Sequence, residues 1–561
     1  MEKIVLKNNG DLGKTVYFGG DVITMEPGES PQHGKSPDRH SHGGLPYNRQ
    51  SQSGQPQAVL VVDGIIQYVG SKEEAVRLAG AGASMVDLDG AALLPAFIDS
   101  HSHITAFANT LGLVDLTGAK NFEDMIQKLR TFADERKPDE WVIGFGYDHN
   151  FLSEKRHPDK TVLDRAVLGH PVLVTHASGH MGVANSAGLL RLGIGKETKA
   201  PGGGRIGRMK DGAPDGYLEE TAFTTYSARI PQPDREQLCR QMELAQQQYL
   251  QYGITTVQDG LTREKELPLL LDMAREHRLL VDTVSYIDLN GNRELLEQNR
   301  GYLKDYQNRL KIGGYKIFLD GSPQGRTAWM SKPYQDSPDG YCGYPIYDDE
   351  QVEAFLQTAV TQGIQILAHC NGDAAAEQLI RCYERVIKKQ APIRPVMIHA
   401  QLVRPDQLKR MAALDMVASF FTAHTYYWGD IHRQNFGEER ANAISPARSA
   451  QEAGVVYTFH QDTPVIHPDM MQTVWCAVNR ISKSGRVMGE GERITPYEAL
   501  QAVTIHAAYQ YFEEGRKGSI RPGKLADLVV LERNPLTTDP MELDRISVLQ
   551  TIKEGRVMYQ R

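Results

Sequence analysis

The sequence predicts an α/β fold: a (β/α)8 TIM-like barrel joined to a small composite β-sandwich domain that both termini build. The first indication is a pattern that recurs from about residue 95 onward, in which an amphipathic helix and a polar or Gly break precede a short apolar strand. The second is that both ends of the chain resemble short strands and turns. About eight such units over roughly 400 residues suit a barrel better than an open doubly wound sheet.

The helix–strand units can be followed along the chain. In "REQLCRQMELAQQQYLQYG" the side chains of Leu238, Met242, Ala245 and Tyr249 share one helix face, and the strand "ITTVQDG" follows. The same order returns in "DDEQVEAFLQTAVTQG" with "IQILAHCNGD", and in "DAAAEQLIRCYERVIKKQ" with "RPVMIHAQ". Apolar strands that alternate with helices predict a parallel sheet covered by helices. No GxGxxG or GxxxxGK[ST] follows a strand, which argues against a nucleotide site.

The chain is therefore expected to divide into three parts. Residues 1–94 would form the N-terminal part of the β-sandwich domain, residues 95–515 the barrel, and residues 516–561 the C-terminal part of the sandwich. Within the first part, residues 27–56 are rich in Gly, Pro, Ser and Gln, and are expected to form a flexible surface loop.

Composition excludes several classes of protein. A formal charge of −8 at pH 7 gives no basic footprint, so nucleic acid is not an expected partner. No window of about 18 uninterrupted apolar residues predicts a membrane span. The five cysteines are scattered and form no CxxC pair, which favours reduced thiols. Together with a start too polar for a signal peptide, "MEKIVLKNNG", these features predict a cytoplasmic location.

One lysine lies where none is expected. Lys316 falls in the apolar run "YKIFL", which resembles a buried strand that ends at Asp320-Gly321. Burying an ammonium is costly unless the group is paired, neutralised or used chemically. Pairing with a nearby acid such as Asp320 is one explanation, and a role in a reactive site is the other.

Reactive groups of a barrel lie at the carboxyl ends of its strands, and these ends supply imidazoles and a carboxylate. His101 and His103, at i and i+2, face the same way. His369, His399 and Asp462 follow further apolar runs. Each has an ordinary explanation when taken alone, such as a structural hydrogen bond or a turn cap. Their recurrence at successive strand ends predicts a site for zinc or another divalent ion.

The segments "PAFIDSHSH", "YKIFLDGSPQGRTA", "AHCNGDAA", "IHAQLV", "HQDTPV" and "GSIRPGKLADLVVLERNP" resemble the amidohydrolase superfamily. More narrowly, the sequence resembles the N-substituted formamide deformylase-like (YtcJ-like) metal-dependent hydrolases. The likeness spans nearly the whole chain. It includes "GHMGVANSAGL" and "GRIGRMKDGAPDGYLEETAF", which are similar to a segment inserted in that branch, here around residues 150–230.

The resemblance implies one or two divalent ions, with zinc as the expected metal. His101, His103 and Asp462 would hold the more buried ion, and His369 with His399 would hold the second. Lys316 would bridge the two as an N-carboxylated lysine. The carbamate would replace the buried ammonium by an anionic ligand, and its formation requires the neutral amine that burial favours.

Further residues are candidates for the pocket. His180 and Arg326 are expected to help stabilise an oxyanion, and Tyr147 and Asp148 to contact substrate, although structural roles are open for all four. His460 stands where the resembled family commonly has a small residue, and is expected either to contact substrate or simply to pack.

The expected reaction is hydrolysis of a C–N bond in a small amide, N-acyl or N-formyl substrate, with Asp462 as general acid and base. Deamination, cyclic-amide opening and ester hydrolysis at the same site are alternatives. A non-catalytic metal-binding or regulatory protein on the same barrel is a further one. A homodimer is a possible assembly.

Overall fold

The computed structural model describes residues 13–26, 55–134, 136–137, 139–149, 151–167, 169–176, 180–387 and 393–561. The loop expected at 27–56 therefore lies outside the described residues up to position 54. The chain forms two compact units. Unit 2 is Ala106–Leu244, and unit 1 comprises the residues before and after it.

Unit 1 is built around a sheet of eight parallel strands whose order in the sheet follows the sequence. From first to eighth the strands are Phe97–Ile98, Ile254–Thr262, Asp282–Asp288, Leu310–Phe318, Gln365–Cys370, Val396–His399, Val417–Phe420 and Tyr457–Phe459. Most of their residues are buried, as expected for a sheet with both faces covered.

This sheet is curled. Apolar side chains from the first, third, fifth, sixth and seventh strands meet in one buried cluster. In a flat sheet the first and seventh strands would lie about 29 Å apart, since neighbouring strands are about 4.8 Å apart. In addition, the Ser100 hydroxyl after the first strand donates to the Phe459 carbonyl at the end of the eighth, over 2.9 Å. The sheet therefore brings its carboxyl ends around one centre.

Unit 1 also contains α-helices, most of which come between strands of the eight-stranded sheet or follow its last strand. They are Lys72–Ala79, Leu267–Arg275, Leu289–Gln298, Asp349–Gln362, Asp373–Ile387, Pro405–Ala413, His424–Tyr427, Gly429–Asn442, Ala447–Ala453, Met470–Asn479, Pro496–Ala502 and Ile505–Gln510. Two further helices, Ile104–Leu111 and Arg235–Gln251, cross the division between the units. The second of these is the helix expected from its apolar spacing, and its Met242, Ala245 and Tyr249 are fully buried.

Two smaller sheets of unit 1 come from the chain ends. One contains Ile65–Gly70, Ala58–Val62, Lys14–Phe18 and Ser84–Asp87. The other mixes both ends of the chain: Asp21–Val22, Ala92–Pro95, Leu528–Leu531, Val548–Lys553 and Arg556–Gln560. Side chains of both sheets, among them Val59, Leu93 and Val530, share one hydrophobic core. The termini are therefore tied together by packing.

Unit 2 has a mixed six-stranded sheet. Its strands, in sheet order, are Gly204–Arg208, Pro214–Glu220, Met181–Ala184, Val172–His176, Val142–Tyr147 and Val114–Asp115. Its helices include Phe122–Ala133, Lys160–Ala166, Ser186–Leu192 and Thr221–Ser227. The unit includes the segment expected to be inserted around 150–230 and extends beyond it at both ends.

The expected α/β class is confirmed in the form of a curled parallel sheet with helices. All five cysteines are free thiols, as their spacing predicted. Within the described parts of the chain, no helix combines the length and the apolar character that a membrane span requires.

Candidate metal centre at the strand ends

The six residues predicted as metal ligands all lie at the carboxyl ends of strands of the curled sheet. His101 and His103 follow the first strand, and Asp462 follows the eighth. The other three lie in strands: Lys316 near the end of the fourth, His369 near the end of the fifth and His399 at the end of the sixth. Their order around the sheet is the order in which the sequence placed them.

Two groups of donor atoms converge. Oδ1 of Asp462 lies 3.3 Å from Nε2 of His103 and 3.5 Å from Nε2 of His101. Beside them, Nε2 of His399 lies 3.1 Å from Nδ1 of His369. Nζ of Lys316 lies 3.3 Å from Nε2 of His101. The lysine therefore joins a cluster of ring nitrogens.

Local backbone geometry aims these side chains. His399, Ala400 and Asp462 have φ angles of +72°, +46° and +55°, a region that non-glycine residues enter at a cost and that is enriched at functional sites. Gly260, in the second strand, has no Cβ, and a Cβ there would lie 2.6 Å from Cε1 of His101. The glycine therefore leaves room for the His101 ring.

Gln258 of the second strand fixes the tautomer of His101. Its amide nitrogen donates to the Ser100 carbonyl and to the Tyr511 hydroxyl, each at 2.9 Å. Its Oε1 is therefore the atom facing Nδ1 of His101, at 2.5 Å, and can only accept. His101 must carry its proton on Nδ1, so the Nε2 lone pair points at Asp462 and Lys316.

A second hydrogen-bond chain fixes the tautomer of His399. The Ser100 hydroxyl donates to the Phe459 carbonyl, so the Ser419 hydroxyl, 3.2 Å away, donates to Ser100. Nδ1 of His460, at 2.8 Å, must then donate to Ser419, which leaves Nε2 of neutral His460 as an acceptor. His399 donates to it from Nδ1 over 3.2 Å, and the Nε2 lone pair of His399 faces the cluster.

The electrostatic surroundings favour the uncharged forms of these nitrogens, which are the forms that bind a metal ion. Burial lowers the pKa of Lys316 to about 7, although the charge of Asp462 opposes the shift. Burial likewise lowers the pKa of His369 to about 4, with the charge of Lys316 adding to the effect. For Asp462, burial opposes ionisation, but the nearby nitrogens of His103, His460 and Lys316 favour the carboxylate and hold its pKa below its usual value. The cluster thus offers neutral imidazoles, a carboxylate and, in part, a neutral amine.

The donor set fits a divalent metal ion. Imidazole nitrogens and a carboxylate oxygen are zinc ligands, and the directions of the hydrogen bonds leave lone pairs pointing inward. Oδ1 of Asp462 is buried and has no hydrogen-bond partner among the described residues. An unpaired buried carboxylate oxygen is costly, and a bound cation would satisfy it.

The alternative for Lys316, an ion pair with Asp320, is not seen in the described part of the chain. The carboxylate of Asp320 instead accepts backbone N–H groups of Trp329, Asn371 and Gly372 at 2.9, 2.9 and 2.7 Å. Asp320 thereby links the end of the fourth strand to the segment that follows the fifth strand. His369 lies in that fifth strand.

The remaining predicted residues lie in different surroundings. Arg326 donates from Nε to Oδ1 of Asn435 at 2.7 Å. In unit 2, His180 is exposed and pairs with Glu220 at 3.2 Å. Tyr147, also in unit 2, is buried and lies 3.0 Å from Nδ1 of His157, while Asp148 is partly exposed. His460 is fully buried behind His399.

Sequence reasoning missed Gln258 and Ser419. Gln258 gives a weaker signal than Lys316, because its strand, ITTVQDGLT, contains several other polar residues. Ser419 gives no comparable signal, because a buried serine in a strand is common.

Comparison with known proteins identifies the family of the chain. The profile of the amidohydrolase family matches residues 84–559. The chain belongs to the amidohydrolase family. It is 30% identical to an N-substituted formamide deformylase from Arthrobacter pascens over 90% of this chain and 95% of that protein. It is 26% identical to the putative amidohydrolase YtcJ of Bacillus subtilis (strain 168) over 93% and 99% of the two chains.

A solved structure is similar as well. An uncharacterized metal-dependent hydrolase from Pyrococcus horikoshii OT3 superposes with a TM-score of 0.72 at 25% identity, covering 94% of this chain and 99% of that one. As an amidohydrolase, the protein is a metal-dependent enzyme that hydrolyses carbon–nitrogen bonds. The predicted resemblance is confirmed, and a non-catalytic role is not favoured.

Proposed function

We propose that this amidohydrolase cleaves the C–N bond of an N-formyl or other N-acyl amide of a hydrophobic or aromatic amine, at the centre formed by His101, His103 and Asp462 with Lys316. Support for the substrate class comes from the A. pascens relative, which is named for N-substituted formamides. The observation that carries the site is the convergence of two ring nitrogens on Oδ1 of Asp462, within 3.5 Å.

The finer architecture belongs to the same proposal. The hydrogen bond between Ser100 and Phe459 and the shared apolar cluster support closure of the curled sheet into a (β/α)8 barrel. The common core of the two terminal sheets supports a composite β-sandwich. The divisions 1–94, 95–515 and 516–561 remain predictions.

Two ions are proposed, with zinc as the metal. His101, His103 and Asp462 would hold one, His369 and His399 the other, and an N-carboxylated Lys316 would lie between them. The pKa of about 7 supports this modification, since much of the lysine is then the neutral amine that reacts with carbon dioxide. When bound, such ions acidify a water molecule and polarise a carbonyl.

Asp462 supplies the proton transfer. Its carboxylate, ionised at neutral pH, accepts the proton of the attacking water at Oδ2, the oxygen that stays free when Oδ1 holds an ion, while the water oxygen adds to the carbonyl carbon. The same oxygen then donates the proton to the leaving nitrogen, so that the C–N bond breaks to an acid and an amine. The hydrogen bonds of Gln258 and His460 keep His101 and His399 correctly oriented during the cycle. Burial lowers the pKa of both rings and keeps them neutral.

The other predicted pocket residues keep their proposed roles with different support. Arg326 is proposed to stabilise an oxyanion, and Asn435 fixes its direction. His180 remains a candidate for helping to stabilise an oxyanion, and Tyr147 and Asp148 remain candidates for contact with the substrate. For His460, complete burial behind His399 favours support of that ligand over contact with a substrate.

Five free thiols favour a reducing compartment such as the cytoplasm. The partner is a small amide-type molecule, and a homodimer remains a prediction.

An amide panel tests the proposed substrate class. We expect metal-loaded protein to release amine from formamides and short-chain amides of aromatic and aliphatic amines. The rates should exceed those of ester cleavage and of ammonia release from amino-heterocycles by at least about tenfold, the range over which pocket contacts discriminate. Dominant ammonia release would instead indicate a deaminase, and dominant ester cleavage an esterase.

Two variants of His460 test the hydrogen-bond chain. His460→Leu should weaken metal binding about 10- to 100-fold, because it removes the acceptor for Nδ1 of His399. His460→Gln should weaken it less, since one amide can accept from His399 and donate to Ser419. Zinc affinity is measured by competition with a chelator. Equal affinities for both variants and the wild type would show that the chain does not orient His399.

A further inference from the structure

Unit 2 contains a second group of metal-binding side chains, at the ends of two neighbouring parallel strands. His176 ends the strand Val172–His176, and Asp148 with His149 follows the strand Val142–Tyr147. The pairing register sets His176 beside Tyr147. Because both strands run the same way, all three side chains lie at one edge of the sheet.

Their donor atoms form a small triangle. Nδ1 of His149 lies 3.2 Å from Nε2 of His176. Oδ1 of Asp148 lies 3.5 Å from the His176 nitrogen and 3.8 Å from the His149 nitrogen. A tetrahedral ion with bonds of 2.0–2.1 Å separates its ligands by about 3.3–3.4 Å. The triangle is therefore already near the size that such an ion requires.

The group is buried at His176 and partly exposed at Asp148 and His149. The His176 side chain is only 9% exposed, whereas those of Asp148 and His149 are 27% and 29% exposed. The ring of His157 lies 4.0 Å from that of His149, centroid to centroid, and Nδ1 of His157 is 3.0 Å from the Tyr147 hydroxyl.

We propose that Asp148, His149 and His176 bind a divalent transition-metal ion of the zinc class, separate from the ions of the strand-end centre. Two imidazole nitrogens and one carboxylate oxygen are a common donor set for such ions, and water can fill the fourth position from the exposed side. The ion would fasten the ends of two adjacent strands of unit 2. The inference does not depend on the proposed substrate or on carboxylation of Lys316.

Metal stoichiometry of the full-length protein tests this site. The protein is stripped with a chelator and titrated with Zn²⁺, and bound metal is counted by mass spectrometry after a competing chelator sets the free concentration. We expect His149→Gln to lose one equivalent relative to wild type, with the affinity at that site lowered more than about 100-fold, because loss of an outer-shell partner alone costs about 10- to 100-fold. The zinc-dependent rise in the melting temperature should shrink with it.

His170→Gln is the matched control, a histidine of the same unit whose Nδ1 contacts the Glu140 carbonyl at 3.0 Å. It should keep the full number of equivalents. Asp148→Asn, nearly isosteric, provides a second test if His149→Gln fails to fold by circular dichroism. If Asp148→Asn, or a folded His149→Gln, binds as many equivalents as wild type with unchanged affinity, the triangle is a hydrogen-bonded cluster and the proposal is wrong.

Discussion

Replacing Asp462 with Asn is expected to lower kcat about 10²- to 10⁴-fold at saturating metal, the range that general acid–base catalysis supplies. An amide oxygen can still face His101 and His103, but it cannot take the proton of the attacking water at neutral pH. Initial rates of amine release, measured beside bound metal, separate loss of the base from loss of the ion.

Asp469→Asn is the matched control for this variant. Asp469 caps the helix Met470–Asn479 by accepting the Gln472 N–H at 3.0 Å, and Asn caps helices about as well. The control should keep wild-type stability and rate. An Asp462→Asn enzyme that turns over at the wild-type rate would show that another group moves the proton.

Replacing Lys316 with Ala is expected to remove most of the activity together with part of the bound metal. The side chain is fully buried, and its Nζ lies 3.3 Å from Nε2 of His101, so the substitution opens a cavity beside the metal ligands. If a carbamate bridges the ions, formate, acetate or propionate should enter the cavity and partly restore both metal content and rate.

Lys316→Met separates this chemistry from simple packing. Methionine fills much of the same space but offers no carboxylate and no room for one. It should therefore be inactive and should not respond to added acids. Full metal content and rate in Lys316→Ala would identify Lys316 as a structural amine only.

The strand-end residues could be predicted from the sequence because each one interrupts or ends an apolar run. Lys316 stands out in "YKIFL", and His369 and His399 close similar runs, so that only the strand order was needed to bring them together. The hydrogen-bond partners that orient these residues could not be predicted in the same way. Gln258 contacts His101 although the two residues are 157 positions apart in the sequence. This contact depends on the register of the strands and on the hydrogen bonds by which Ser100 and Tyr511 orient the Gln258 amide.

Unit 2 shows the same limit of sequence patterns. Asp148 was expected to contact substrate, whereas His149 and His176 carried no signal of their own. They come together only because the register pairs His176 with Tyr147, two positions before His149. The unit also extends from Ala106 to Leu244, beyond the segment around residues 150–230 whose sequence resembled an insertion.

Metal-dependent amine release tests the central claim most directly. Chelator-stripped protein is titrated with Zn²⁺, and the initial rate of amine release from an N-substituted formamide is compared with bound metal at each step. The account predicts no turnover without metal and a rate that rises with occupancy of the strand-end centre, lost in a His101→Asn, His103→Asn double variant. A stripped enzyme, or that double variant, that still releases amine at the full rate would contradict it.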